Sequence, residues 1–155
     1  MKTINLFKKR TNFYTALVKS LNSLTEVEQL RFRFRYYGAT TAQELPNVPS
    51  GFVEPGAWKI DRISRGSARR VETARILYEG LPSSSDAMRD SIEIYTDLLD
   101  AIATHFVRNP ELVPGAFCSE VRAFSDAAPL YDPSAAYEKT PILYAGIEAT
   151  FWWLV

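Results

Sequence analysis

The C-terminal stretch PILYAGIEATFWWLV (residues 141–155) constrains the fold more than any other part of the chain. Leu143, Ala145, Ile147, Ala149, Phe151 and Trp153 alternate with Tyr144, Gly146, Glu148, Thr150 and Trp152. A period of two puts the first set on one face of a strand, which no helix can do. Chain ends normally fray, so an end this apolar is expected to be held in a sheet or beneath a partner. Small residues between the larger ones leave room for a helix to lie close against that face.

The segment SSSDAMRDSIEIYTDLLDAIATHFVRNP supplies the helix. Met88, Ile92, Tyr95, Leu99, Ile102 and Phe106 follow at alternating steps of four and three residues, one continuous apolar stripe. A serine of the 83–85 run suits the N-cap, and Asp86 and Asp90 suit the positive end of the dipole. Arg108 stands near the C-terminal end, and Pro110 stops the helix. A second helix is expected over 11–24, with Thr11 as N-cap and Phe13, Leu17, Leu21 and Leu24 on its apolar side.

In EQLRFRFRYYG, Leu30, Phe32, Phe34 and Tyr36 alternate with Arg31, Arg33, Arg35 and Tyr37, and Gly38 ends the run. That pattern predicts a strand whose polar face carries three arginines about 7 Å apart. Residues 39–57 have no period and hold three prolines and two glycines, so a long loop is expected there. Trp58, Ile60 and Ile63 then lead through a turn at RGS (65–67) into a longer strand, VETARILYEGL. Arg62, Arg65, Arg69, Arg70 and Arg75 make this a second basic patch. A further strand is expected over 117–124, and another proline-bearing loop over 125–141. Together these predict an α+β protein, one domain over residues 1–155. Its sheet would be mixed but mostly antiparallel, with two main helices packed on one face.

At 46% hydrophobic and 23% charged, the composition is that of an ordinary globular protein. The single cysteine, Cys118, rules out an intrachain disulfide. MKTINLFKKR places Lys8, Lys9 and Arg10 after an apolar patch that is too short, the wrong order for a secretory signal. No run reaches the 18 apolar residues of a spanning helix, so no membrane partner is expected. The formal net charge of zero conceals a division. Residues 1–75 hold 14 Lys+Arg and 6 Asp+Glu, and residues 76–155 hold 4 and 12. Such a division suggests a nucleic-acid face or a subunit whose positive side meets the negative side of its neighbour; alternatively the halves interleave and their fields cancel.

Chemistry is hard to find. His105, the only histidine, lies beside the apolar stripe, with no Cys or His cluster to complete a zinc site. Cys118 reads as a small core residue and not as the nucleophile of a Cys118–His105 hydrolase. Phosphate-loop and dinucleotide motifs are absent. Asp86, Asp90, Glu93, Asp97 and Asp100 form the solvated face of the long helix. No enzyme, cofactor or metal is therefore expected. The arginines admit three readings: charge that guards an exposed strand, contact with an acidic neighbour, or contact with nucleic acid. Overall neutrality counts against nucleic acid as the main partner.

Over residues 58–155 the layout resembles the tail terminator (tail completion) proteins of long-tailed bacteriophages. The parts that carry the likeness are RRVETARILYEGL, SSSDAMRDSIEIYTDLLDAIATHF, and the loop DAAPLYDP leading into the closing strand. The RFRFR strand has no counterpart in that pattern. The resemblance implies a structural virion protein, made in the host cytoplasm and built as a hexameric ring that ends the tail tube and joins tail to neck. Its partners would be further copies, tail-tube and neck or connector proteins, with a passing contact to genomic DNA. Subunit contacts would fall to Arg31, Arg33, Arg35, Arg69 and Arg70 against acidic residues, and to Trp152. A head-completion or connector protein, or a nucleic-acid-binding accessory protein, is the alternative.

Overall fold

The computed structural model describes residues 7, 9–25, 31–35, 50–80, 85–123, 131–132 and 142–155. Helix α1 spans Arg10–Asn22 and helix α2 Ser85–Arg108. The strands are β1 (Arg33–Phe34), β2 (Ser50–Ser64), β3 (Ser67–Gly80), β4 (Phe117–Ala123), β5 (Tyr131–Asp132) and β6 (Ile142–Leu154). In the sheet, β1, β2, β3, β6 and β4 lie side by side, and β5 pairs with the start of β6. Among the described residues only β1–β2 is parallel. The α+β architecture with a mostly antiparallel mixed sheet is as the sequence predicts.

The closing strand is central. Its edges are taken by β3 over Leu143–Leu154 and by β4 over Ile147–Trp152. Ile147, Ala149, Phe151 and Trp153 are buried, while Gly146, Glu148, Thr150 and Trp152 are half-buried on the other face. Phe151 meets the ring of Phe13 from α1 at 5.1 Å and that of Phe106 from α2 at 5.3 Å. One side chain thus touches both helices, which places them on the same face. Phe13 also stacks on Trp153 at 4.6 Å. Burying four aromatic rings together contributes several kcal/mol, at about 25 cal/mol per Å² removed from water. The aromatic chain end is pinned in a sheet, beneath both α1 and α2 as the expected two-helix layer requires.

Several boundaries differ from expectation. Lys9, not Thr11, is the N-cap of α1, in extended conformation and without a side-chain cap bond. Thr11 lies within the helix, and its carbonyl accepts from the Thr15 hydroxyl at 3.0 Å. The expected long RFRFR strand pairs only at Arg33 and Phe34. Arg31 has φ of 44°, left-handed backbone that no strand residue adopts, so it does not share a strand face with Arg33 and Arg35. Residues 50–57, expected as loop, belong to β2. Pro55 is tolerated because no strand pairs with β2 beyond Val53 on its outer side among the described residues. A register shift follows between Pro55 and Trp58, where Gly56 lies so close to β3 that any Cβ would overlap the Thr73 carbonyl oxygen. Within the expected 125–141 loop, Tyr131 and Asp132 pair with β6. The rest of that loop, residues 39–49, the serine cap at 83–84 and the side chains of Met88, Ile92 and Tyr95 lie outside the described residues.

Candidate assembly surface

The hairpin β2–β3 is longer than the helix layer above it. The first turn of α1 sits over Gly56, whose carbonyl accepts a 3.0 Å bond from Arg10 Nη2. Beyond that point no described residue of the helix layer covers the hairpin. Residues 57–60 and 62–67 are exposed, and Trp58, Ile60 and Ile63 show 54%, 52% and 54% of their surface. The alternation that would bury Trp58 and Ile60 is intact, because Trp58 pairs with Glu72 and Ile60 with Arg70 on the helix side. What is missing among the described residues is a layer to bury them against. Lys59, Arg62, Arg65, Arg69 and Arg70 stand on the same hairpin end with one carboxylate, Asp61.

Behind the exposed end lies a buried charge cluster. Glu72 is fully buried beneath α1, where it accepts from Tyr14 Oη (2.6 Å), Arg10 Nε (2.6 Å) and Arg70 Nε (3.2 Å). Burial pushes the Tyr14 phenol above its usual range, and its hydrogen bond to the Glu72 carboxylate adds to the rise. Desolvation opposes the charge of Arg10, but the hydrogen bond and field of Glu72 outweigh it and raise its pKa. Arg70 leaves the cluster to lie over the Trp58 ring at 4.4 Å, tying the core to the exposed end.

On the sheet face away from the helices a row of charges crosses the strands. Glu54 of β2 pairs in register with Arg75 of β3, Arg75 with Glu148 of β6, and Glu148 with Arg122 of β4. Arg35 caps the row through a 2.6 Å bond to Glu54. Arg75 and Arg122 reach Glu148 at 3.8 and 2.8 Å. The basic and acidic halves of the sequence therefore interleave here, within one sheet.

The residues expected to make subunit contacts do not converge. Arg31 is exposed ahead of β1, and Arg33 and Arg35 lie over the Phe52 ring at 4.9 and 4.0 Å. Arg70 is committed to Glu72 on the helix side, with 17% of its side chain exposed. Arg69, on the opposite side, pairs with Asp61 at 3.5 Å and approaches the Trp152 ring at 6.0 Å. Trp152 is half-buried against Phe117, ring to ring at 5.5 Å. Sequence reasoning missed the exposed Trp58, Ile60 and Ile63, because alternation shows which face is apolar and not whether a helix reaches it. It also missed Glu72, whose place on the apolar face of β3 was visible from Ala74 and Ile76 in the same phase.

Burial pushes the Cys118 thiol up to about 11, so it stays protonated at neutral pH and is poorly suited to attack. No group of three metal-ligating side chains occurs among the described residues. No helix of the structure, among the described residues, is long and apolar enough to cross a membrane. A groove of about 660 Å³ lies between α1 and the Leu112–Pro114 turn, lined by Phe7, Thr15, Ala16, Lys19, Ser20 and Leu112. It gathers no acid–base pair. Compared with known proteins, the chain matches no family model and no curated protein.

Proposed function

We propose that this chain is a non-catalytic structural subunit that assembles with copies of itself, as a ring of the tail-terminator type at the head-proximal end of a phage tail. The observation that carries the reading is the uncovered end of the β2–β3 hairpin. Three large apolar side chains stand half-exposed there among cations, on a sheet where Val53, Ala74, Ile76, Ile147, Ala149, Phe151 and Trp153 are buried. Soluble chains seldom leave such a patch to water, and patches of this kind mark protein contacts. The phage role rests on the sequence layout of residues 58–155, and the structural role rests on the hairpin.

Light scattering coupled to size exclusion, at low and high salt, tests the reading. A discrete multimer of about six subunits, seen as closed rings by electron microscopy, is the expected result. A monomer at every concentration and salt would remove the self-assembling ring. A second reading, contact with nucleic acid, has one observation in its favour: Arg62 and Arg65 are exposed at the hairpin tip. It requires binding to duplex DNA that weakens steeply with salt.

A further inference from the structure

We infer that the exposed hairpin end docks on the outward face of α2 of a second copy of this chain. The inference rests on the reading that the chain assembles with itself, and it names the two surfaces that meet.

The first surface is the hairpin end. Trp58, Ile60 and Ile63 supply about half-exposed apolar area, and Arg62 and Arg65 are exposed beside them. Among the described residues neither arginine is in an ion pair, whereas Lys59, Arg69 and Arg70 are occupied by Asp61 and Glu72. The second surface is its complement. Asp97, Asp100, Thr104 and Val107 follow at steps of three and four along α2, opposite the buried Leu99, Ile102 and Phe106, and Glu111 lies in the turn just past the helix end. All five are exposed, and Val107, at 71%, is the most exposed large apolar side chain among those described. None of the three carboxylates is in an ion pair among the described residues. Among the described residues Arg108 is the cation beside them.

A tryptophan and two isoleucines flanked by unpaired arginines therefore match an apolar spot flanked by unpaired carboxylates. Arginine at the rim of an aromatic anchor is the composition of interface hot spots, and the charge match sets orientation and speeds encounter. The exposed isoleucines argue for a protein partner, since phosphate recognition has no use for them. The two surfaces of one chain stay apart. Helix α2 packs on β6 and β4, while β2 lies three strands away from β4, about 14 Å along the sheet. Because the two patches differ, contact can close reciprocally in a twofold pair or run head to tail around a ring.

The test is disulfide trapping with Ile60→Cys and Val107→Cys in the full chain. Cys118 stays in place, because it is buried and its thiol is protonated. Mixed and mildly oxidised, the two variants are expected to form a mixed dimer that neither forms alone, since a disulfide needs Cα atoms within about 7 Å. In parallel, Arg62→Glu with Arg65→Glu, and Asp97→Lys with Asp100→Lys, should each weaken assembly at least about tenfold, and the four changes together should restore it. A wild-type multimer without the mixed link or the restoration would overturn the inference and leave the ring standing. The mixed link in a product that is only a twofold dimer would uphold the inference and remove the ring. A wild type that never assembles overturns both. Salt-sensitive binding to a DNA duplex, lost in the Arg62/Arg65 variant and without any link, would give the hairpin to nucleic acid instead.

Discussion

The Tyr14 hydroxyl donates a 2.6 Å hydrogen bond to Glu72 Oε1, joining the first helix to the centre of the sheet where neither side chain meets solvent. Arg10 and Arg70 complete the cluster. A carboxylate this deep is held in place by its partners, and removing one side of such a set leaves a buried charge unmatched. Glu72→Ala is therefore expected to lower stability by about 3–5 kcal/mol. Tyr14→Phe, which removes one donor to a charged acceptor, should cost about 1.5–3 kcal/mol. Urea unfolding followed by far-UV circular dichroism measures both. If Glu72→Ala cost no more than Tyr14→Phe, the cluster would not be anchoring α1.

The same contact sets an alkaline limit. The Tyr14 pKa in the fold lies above its ordinary value, because burial and the neighbouring carboxylate disfavour the phenolate. A raised pKa means that the folded state keeps its proton when the unfolded chain has lost it. This contribution is complete below the unfolded value of about 10 and declines as pH rises above it. Above that point the wild type should lose up to about 1.4 kcal/mol per pH unit more than Tyr14→Phe. Denaturant midpoints of both proteins from pH 8 to pH 11 test this, and parallel curves would refute it.

How far the fold was legible depended on period and on cover. The C-terminal strand and the α2 stripe could be read because each repeats one spacing over several turns or pleats, and Ile147, Phe151, Trp153, Leu99, Ile102 and Phe106 are buried as that spacing requires. Residues 50–57 misled because proline and glycine usually mark loops. Pro55 and Gly56 sit in a strand whose outer side has no partner past Val53 among the described residues and whose register shifts beside them. Arg31 misled for a different reason. Its alternation with Phe32 is intact, but φ at 44° takes the chain out of strand geometry there. The candidate surface was the least legible part. Nothing in WKIDRIS shows that α1 begins over Gly56 and leaves Trp58 and Ile60 beyond its reach.

Asn22 carries a second tie between helix and sheet. Its amide accepts from Phe32 N at 2.7 Å and donates to Phe32 O at 2.9 Å, satisfying both backbone groups of a residue that lies just before β1. Phe32 in turn fills the space above Gly51, where a Cβ would come within 2.6 Å of its ring. Asn22→Ala leaves both backbone groups to find other partners and should cost about 1–3 kcal/mol. Hydrogen exchange should localise the damage, with the Phe32 amide losing protection more than amides in β3 and β6. Uniform loss across the sheet would contradict a local tie.

Cys118 provides a probe of the core. It is buried, its thiol is pushed up to about 11 chiefly by desolvation, and Sγ lies 3.6 Å from the Glu120 carbonyl oxygen. Attack on a thiol reagent needs the thiolate and access, and the fold withholds both. At pH 8 the native protein should react at least about tenfold more slowly than the chain in guanidinium chloride, following from the thiolate fraction alone. Reaction at the unfolded rate in native buffer would mean that β4 opens freely.

Glu148 stands between two arginines of different worth. Arg122 approaches more closely, at 2.8 Å, but 64% of its side chain is in water, whereas Arg75 lies at 3.8 Å with 32% exposed. Exposed pairs are screened and lose side-chain entropy on forming, so their net contribution stays near 0–1 kcal/mol whatever the distance. Arg122→Ala is accordingly expected to change stability by less than about 0.5 kcal/mol, and less still at high salt. Glu148→Ala should cost about 1–3 kcal/mol, because it leaves Arg75 facing Arg122 across β6 without the carboxylate that separates them. A double-mutant cycle decides the matter. Coupling of Arg75 to Glu148 larger than that of Arg122 to Glu148 is the expected order, and the reverse would show that distance outweighs burial on this face.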